Sequence, residues 1–386
     1  MSPKLVFYVI QFLEGLGMGS FFPIYTPWLE FHGLNFLRMG VVNFFYHIST
    51  SVFDPFTGHI ADKFGKRKTF IIGQIMWTST QYIYGASTKM GGFFLAEGVA
   101  AVGHSLKSDA LESWLQNRLG EVEASRVMGR SRMLFTVGQI STSILAGYIS
   151  AVFGMKIAWF VSGTFFLIAT VLGSVVLLKA GDDLAEYSEP DMNEPDASLK
   201  QIFSLAVKNR KIVGATSLIV AYSFASKPVF MYWPQIVKYL GMPEAERGWA
   251  ILMIAIPTMF GGLLAGHNML FTRNKRGLLR ILTLLGIGMV ISGSASQLSM
   301  FFLGLILIEV AYGSVNIVMY GHLFNEIHPR HRSTVNSMIS ATRTLGGAAS
   351  LLIMGKLADV YSPQVTLTLG GMLVLLTTVF YVRSKT

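Results

Sequence analysis

Long apolar runs alternate with short polar or Gly/Pro-rich breaks along the whole of this chain. A run of roughly 20 apolar residues is long enough to cross the hydrocarbon core of a bilayer as an α-helix. The breaks therefore predict twelve transmembrane helices, with approximate limits 5–27, 38–59, 68–87, 92–117, 127–153, 156–178, 211–239, 247–270, 278–296, 299–324, 333–358 and 364–382. This pattern is typical of an all-α integral membrane protein.

The composition supports the same interpretation. Charged residues make up 13% of the 386 residues, and hydrophobic residues make up 52%. A soluble domain carries about 25% charged residues, because its surface has to face water. A large soluble protein with an extended core is therefore excluded. The chain has no cysteine, so a disulfide framework and thiolate chemistry are excluded as well.

The basic residues predict the orientation of the helices. Of the 31 Lys and Arg residues, 22 lie in the segments expected on the cytoplasmic side and five in those expected on the outer side. Basic residues collect in cytoplasmic loops of membrane proteins. The distribution predicts that both termini are cytoplasmic. It also accounts for the net charge of +10 without a nucleic-acid partner.

One stretch is typical of a linker. Residues 181–196 are acidic, contain proline and lack apolar periodicity. The chain is therefore predicted to consist of an N-terminal six-helix bundle over residues 1–180, an acidic cytoplasmic linker over 181–210 and a C-terminal six-helix bundle over 211–386.

The two predicted bundles share glycines at a constant offset of 208 residues. The matching pairs are Gly40 with Gly248, Gly58 with Gly266, Gly138 with Gly346, and Gly147 with Gly355. Small residues recur where transmembrane helices approach closely. A parallel repeat of this kind predicts two pseudo-symmetric bundles, with a substrate held between them near the midplane during alternating access.

The segment Gly58–Lys68 carries the clearest resemblance to a known family. It reads GHIADKFGKRK and matches the pattern G-x-x-x-D-[RK]-x-G-[RK]-[RK]. In this segment, and in its helix pattern over the whole length, the chain resembles the major facilitator superfamily of transporters. The resemblance implies that superfamily's fold, with twelve helices in two bundles.

The same resemblance implies a conformational latch in this loop. Its acidic member is Asp62, and the equivalent position of the second half is Leu270, so the latch is expected to be asymmetric. The residues expected to take part are Gly58, Asp62, Gly65, Lys66, Arg67 and, as a partner of the carboxylate, Arg118.

Two further stretches are similar to a bacterial branch with many drug and metabolite efflux proteins. They are residues 54–58, which read DPFTG, and the run from Glu97 to Trp114 in the fourth helix. Two departures concern the antiport mechanism rather than the fold. Glu97 stands where many proton-coupled antiporters carry arginine, and the fifth helix lacks their Gly-Pro pair.

Ionisable and polar residues within the spans are the candidate substrate- and proton-binding groups, because such groups are costly in lipid unless they face a cavity or a partner. Nine of these residues are singled out because they lie on helices one, four, seven and ten, which line the cavity in the fold that the chain resembles. They are Glu14, Glu97, His104, Lys107, Glu112, Lys227, Glu309, Asn316 and Tyr320.

Proton coupling needs a carboxylate that gains and loses a proton during transport. Glu14 and Glu309 are the strongest candidates because both lie near mid-depth, and Glu97 is a third. His104 is a weaker candidate. The alternative is a set of static ion pairs, of Lys227 with Glu309 or Glu14 and of Lys107 with Glu112. Arg343 and Asp54 are interpreted as a structural or latch-associated pair.

The predicted function is secondary active transport of a small molecule by a monomer in a bacterial cytoplasmic (inner) membrane. The favoured form is proton-coupled efflux, by antiport, of an amphipathic or drug-like compound. One alternative is transport of a specific anionic metabolite or inorganic anion bound by Lys107, Lys227 and His104. A remote alternative is a non-transporting membrane receptor on the same fold.

No metal-ligand cluster, phosphate-binding glycine loop or nucleophile–base pair is present in the sequence. We therefore expect no enzymatic activity, no metal and no cofactor, with a proton gradient as the driving force.

Overall fold

The computed structural model describes residues 2–107, 110–179, 210–267, 271–272, 274–324 and 332–383. Most residues in these ranges are helical, as predicted. Within them, the first half contains a short 3-10 turn, Phe22–Ile24, and eight helices: α1 (Pro3–Phe21), α2 (Tyr25–Phe31), α3 (Phe36–Phe64), α4 (Lys66–Ala86), α5 (Met90–Lys107), α6 (Ala110–Leu119), α7 (Glu121–Phe153) and α8 (Met155–Lys179).

The described part of the second half contains a 3-10 segment, Glu244–Ile251, and six helices: α9 (Arg210–Tyr239), α10 (Leu252–Gly266), α11 (Lys275–Gly293), α12 (Leu298–Phe324), α13 (Arg332–Val360) and α14 (Pro363–Arg383). Each of the twelve predicted segments overlaps a helix. Within the described residues, eight helical stretches are long and apolar enough to cross a membrane. The count of twelve spans and the cytoplasmic side of the termini stay predictions.

Helix boundaries follow from local capping chemistry. Ser2 caps α1, since its hydroxyl accepts a hydrogen bond from the backbone N–H of Leu5 at 3.3 Å, and Pro3 occupies the first helical position. Asn274 caps α11 in the same way through the N–H of Gly277. Between α3 and α4 the chain turns at Gly65, whose φ of 88° suits a residue without a Cβ.

The chain separates into two compact units. The first comprises Met1–Leu34, Val41–Glu189 and Pro243–Ile251, and the second comprises Asn35–Gly40, Pro190–Met242 and Leu252–Thr386. The linker predicted at residues 181–210 lies almost wholly outside the described residues, and the predicted domain boundaries stay a prediction.

The 208-residue repeat recurs in the contacts inside the units. In the first unit, the Thr142 hydroxyl donates to the carbonyl oxygen of Leu16 at 2.6 Å. At the same offset in the second unit, the Ser350 hydroxyl donates to the carbonyl oxygen of Phe224. The two halves therefore use the same helix-to-helix hydrogen bond.

Most of the matching glycines that the structure describes are close-contact positions, as their type predicts; Gly266 is not, since no atom lies within 4 Å of a Cβ there. Gly248 abuts the carbonyl oxygen of Ser143, and Gly40 abuts that of Leu351, again at the repeat offset. A Cβ at either glycine would overlap the facing carbonyl group. These residues are small because two backbones meet there.

Candidate functional site

The first unit contains a buried ion pair. The Lys107 ammonium of α5 lies 2.8 Å from a carboxylate oxygen of Glu14 on α1, with side chains 14% and 10% exposed respectively. The Gln11 amide donates to the other carboxylate oxygen at 3.4 Å. The Lys107–Glu112 pair that the sequence left open is not formed among the described residues, and Glu112 is exposed on α6.

Close packing of α4 on α5 positions this pair. A Cβ at Gly73 of α4 would meet the backbone of Lys107, and a Cβ at Gly103 of α5 would meet the backbone of Trp77. The close approach places the Lys107 ammonium 5.1 Å from the centre of the Trp77 ring and 5.8 Å from that of Phe166. Two aromatic faces and one carboxylate therefore surround the cation.

Glu97 lies in a separate cluster of hydroxyl groups in the same unit. One of its carboxylate oxygens accepts hydrogen bonds from the hydroxyls of Tyr25, at 2.7 Å, and Tyr84. The Asn43 amide donates to the Tyr25 hydroxyl at 2.6 Å. Within the described ranges, no basic side chain forms an ion pair with Glu97. The two tyrosine hydroxyls hold this carboxylate in place.

Aromatic packing fixes the two tyrosines. Trp159 of α8 stacks on Tyr84 with ring centres 4.5 Å apart and planes 7° apart. The Trp28 indole donates to the Tyr84 carbonyl oxygen at 3.0 Å. The sequence interpretation missed Tyr25, Tyr84 and Asn43. The tyrosines carried no signal, since a tyrosine in an apolar span is most often a packing residue. Asn43 is polar, but it lies on the second predicted helix, outside the four that the resemblance places around the cavity.

His104 lies close to two aromatic rings. Its ring centre is 6.3 Å from that of Tyr46 and 6.0 Å from that of Trp77. One residue further along α5, the Ser105 hydroxyl donates to the carboxylate of Asp54 on α3.

The second unit contains Glu309, which is 1% exposed on α12. The Thr258 hydroxyl of α10 lies 2.7 Å from its Oε2. In the part of the chain that the structure describes, its Oε1 has no hydrogen-bond partner. The Lys227–Glu309 ion pair that the sequence left open is not formed among the described residues, where Thr258 is the hydrogen-bond partner of this carboxyl group.

The Thr258 hydroxyl group lies near a second hydrogen-bond acceptor. Its hydroxyl oxygen also lies 2.6 Å from the carbonyl oxygen of Ile254, one turn earlier in α10. A hydroxyl group has one proton to donate. Thr258 therefore cannot donate fully to Ile254 and to Glu309 at the same time. Close packing of α10 on α12 sets this geometry, since Gly313 abuts the carbonyl of Thr258.

Two basic side chains lie in another part of the second unit. The aliphatic chain of Lys227, on α9, packs against Gly347 of α13. The Arg343 guanidinium of α13 donates to the Asn316 amide oxygen at 3.4 Å. Lys227 therefore lies one helical turn from Arg343 along α13. The side chain of Tyr320 lies outside the described residues.

The predicted latch is described only in part. Gly65 forms the turn between α3 and α4, and the Arg67 guanidinium donates to the carbonyl oxygen of Leu177 near the end of α8 at 2.9 Å. Such a bond suits a cation at a helix C-terminus. Arg118 lies 5.8 Å from the centre of the Trp114 ring.

The surroundings of Gly58 and the side chains of Asp62 and Lys66 lie outside the described residues. The contact of Asp62 with Arg118 therefore stays a prediction, as does the Asp54–Arg343 pair. Over the described ranges, no group of three or more His, Asp or Glu side chains is placed to hold a metal ion.

Comparison with known proteins places this geometry in context. The sequence model described as "Major Facilitator Superfamily" matches residues 7–351 and 216–386. The chain is 24% identical over 254 residues to the "Uncharacterized MFS-type transporter YxaM" of Bacillus subtilis, covering 63% of this chain and 61% of that protein. It is 25% identical over 186 residues to "Multidrug resistance protein 2" of the same organism, covering 47% and 46%. The matches thus span less than two thirds of either relative's length.

Among solved structures, the chain is similar to that of the nucleoside transporter NupG. The TM-score is 0.79 at 14% sequence identity, covering 99% of this chain and 98% of that one. At this identity the likeness concerns the fold alone. The fold implied by the loop at residues 58–68 is confirmed.

Proposed function

Because this chain belongs to the Major Facilitator Superfamily and is a multi-pass transporter, we propose that it exports an amphipathic compound in exchange for protons. We further propose that it acts as a monomer in the cytoplasmic membrane of a bacterium, by alternating access. Glu309 is proposed as the residue that carries the proton.

The observation that carries the proposal is the position of the Thr258 hydroxyl between two acceptors. When Glu309 is protonated, its O–H donates to Thr258 and the Thr258 proton donates to Ile254, so both bonds are made. When Glu309 is charged, the Thr258 proton has to turn towards the carboxylate and the Ile254 bond is given up. The site thus has a distinct hydrogen-bond arrangement for each protonation state.

The other two buried acids are less suited to the role. Glu14 has a cation within 2.8 Å, which stabilises its charged form through a fixed pair. Glu97 accepts two hydroxyl hydrogen bonds, and both are best made to a charged carboxylate. We propose that these two residues position helices of the first unit.

The export direction and the amphipathic substrate rest on similarity. A relative matched over 46% of its length bears the name "Multidrug resistance protein 2". The alternative of a small anion bound by Lys107, Lys227 and His104 is weakened in one respect, because Lys107 already has Glu14 as its counter-ion.

The test is transport in proteoliposomes with an imposed pH gradient, using ethidium and, separately, a dansyl-labelled undecanoate as probes. We expect Glu309→Gln to lower gradient-driven transport at least about tenfold while exchange without a gradient persists. A loss of that size corresponds to about 1.4 kcal/mol in the driving step. Glu121→Gln, at an exposed acid of α7, is the matched control and should transport normally.

Two variants of Thr258 test the role of its hydroxyl group. Thr258→Ser keeps the hydroxyl group and should keep the pH dependence of transport. Thr258→Val removes the hydroxyl group and should shift the pH dependence. Full gradient-driven transport by Glu309→Gln would overturn the assignment of the proton to this residue. If neither probe responds to the gradient in the unaltered protein, proton coupling itself is wrong.

A further inference from the structure

The second unit contains an apolar groove between α9 and α13 that takes no part in the proposed proton transfer at Glu309. It is open at the surface and has a volume of about 640 Å³, within the range of roughly 300–1,000 Å³ found for small-molecule sites. Its walls are mostly apolar side chains from three helices, among them Val213, Val220 and Phe224 of α9, Ile339 of α13 and Leu373 of α14.

One end of the groove leads to the two basic residues of the second unit. Lys227 follows Phe224 by three residues, and Arg343 follows Ile339 by four. Residues three or four apart lie on the same face of a helix, one turn further along. Both cations therefore lie one helical turn beyond the apolar walls, on the faces that form the groove.

Arg343 has a neutral partner. Its guanidinium donates to the Asn316 amide oxygen at 3.4 Å, and no described carboxylate forms an ion pair with it. The aliphatic chain of Lys227 packs against Gly347, one helical turn after Arg343 on α13. An anion at this end of the groove would be attracted by both positive charges.

The repeat explains why the groove exists in this unit. In the first unit the equivalent helices α1 and α7 meet through Gly15 and Gly19, which abut the carbonyl oxygens of Phe135 and Gln139. At the same offset in α9 stand Ser223 and Lys227. Side chains thus occupy the positions where glycines bring α1 against α7. The Ser223 hydroxyl of α9 reaches the Arg343 carbonyl oxygen of α13 at 3.0 Å, and the groove lies beside this contact.

We propose that this groove and its two basic residues bind an amphipathic anion, a molecule with one apolar chain and a carboxylate or similar head group, as the transported substrate. Burying the chain supplies apolar contact, and Lys227 and Arg343 supply charge complementarity for the head group. This narrows the substrate class of the proposed function to amphipathic anions. Transport of the anion rests on the proposed function, whereas its binding to the groove does not.

Binding is measured with the whole protein in phosphatidylcholine nanodiscs, using the dansyl-labelled undecanoate and a trimethylammonium probe of equal chain length. We expect the carboxylate probe to bind the unaltered protein at least about tenfold more tightly than the cationic probe. Lys227→Gln and Arg343→Gln should each weaken the carboxylate probe about tenfold, as expected for loss of one hydrogen bond to a charged group. Neither should weaken the cationic probe.

Two matched controls separate the site from general effects. Lys356→Gln removes an exposed charge from the same helix, α13, and should leave both probes unchanged. Ala221→Phe places a ring in the groove and should weaken the carboxylate probe, whereas Ala341→Phe makes the same change at an exposed position outside the groove wall.

The outcomes distinguish this proposal from the proposed function. Equal binding of both probes, or unchanged binding in Lys227→Gln and Arg343→Gln, would overturn the site. Selective binding without counterflow of the carboxylate probe, in liposomes that still exchange ethidium, would show a resident lipid site and overturn the substrate assignment. Selective binding with counterflow but no response to a pH gradient would leave the site intact and overturn proton coupling alone.

Discussion

The two units share backbone contacts at a constant offset but differ in the partners of their charged side chains. In the first unit, Glu14 has Lys107 as a counter-ion and Glu97 has two tyrosine hydroxyls. In the second unit, the buried Glu309 shares one hydroxyl with a backbone carbonyl, and the partly exposed Arg343 has a neutral amide. The same helix-packing contacts are therefore compatible with different partners for the charged side chains in the two halves.

The difference follows from the repeat itself. Glu14 corresponds to Tyr222 of the second half, and Lys107 corresponds to Val315, so the ion pair has no second copy. Lys227 corresponds to Gly19 in the same way. A duplicated backbone can keep its close contacts through glycine and hydroxyl residues while the two sets of polar side chains diverge.

The largest effect that tests this comparison is loss of the buried ion pair. Glu14→Gln leaves the Lys107 ammonium buried without a counter-ion, which costs about 3–5 kcal/mol of unfolding free energy. Glu309→Gln leaves no buried cation behind and should cost only about 1 kcal/mol. The measurement is unfolding of both variants in one detergent, by denaturant titration.

The double variant Glu14→Gln/Lys107→Met is the control, because it removes both charges at once. It should recover most of the stability lost in Glu14→Gln. A larger loss in Glu309→Gln than in Glu14→Gln would show that the two acids have been assigned the wrong roles.

Much of the fold was accessible from the sequence because it depends on patterns within single helices. Run length located the twelve segments, and each overlaps a helix. The glycines at the 208-residue offset were recognisable because close backbone approach selects one residue type. Gly40 with Gly248 illustrates this, since both abut carbonyl oxygens at equivalent places.

The partners across helices were not accessible in the same way. Helical spacing places Lys107 on a face of α5, but it does not tell which residue of another helix Lys107 contacts. Glu14 of α1 was not the expected partner. Tyr84, Asn43 and Thr258 lie on helices that a cavity-based interpretation passes over, and each reads as an ordinary packing residue. Their roles depend on three-dimensional contacts that periodicity does not encode.

A smaller effect should come from placing alanine at one repeat position in both units. Gly15→Ala adds a methyl group against the Phe135 carbonyl, and such overpacking costs about 1–3 kcal/mol. Ser223→Ala removes the hydroxyl that donates to the Arg343 carbonyl at 3.0 Å, which should cost about 1 kcal/mol. Unfolding midpoints of the two variants in one detergent provide the comparison.

Gly129→Ala is the control for the intrinsic effect of replacing a helical glycine. No side chain or backbone atom lies near a Cβ at Gly129, which is exposed on α7. This variant should gain up to about 1 kcal/mol, because alanine favours the helix. If Gly15→Ala also gains stability, α1 and α7 are not held together by backbone contact at this position.

The smallest effect concerns a helix cap with no equivalent in the first half. The Asp359 carboxylate of α13 accepts hydrogen bonds from the backbone N–H groups of Phe36, at 2.7 Å, and Leu37, at 3.1 Å, at the start of α3. The equivalent position in α7 is Ala151.

Loss of a capping side chain costs about 1 kcal/mol, so Asp359→Ala should lower the unfolding free energy by that amount. Asp359→Asn keeps one acceptor oxygen and should lose less. Equal stability of Asp359→Ala and the unaltered protein would mean that water replaces the carboxylate at this helix end, and that the asymmetry between Asp359 and Ala151 has no energetic consequence.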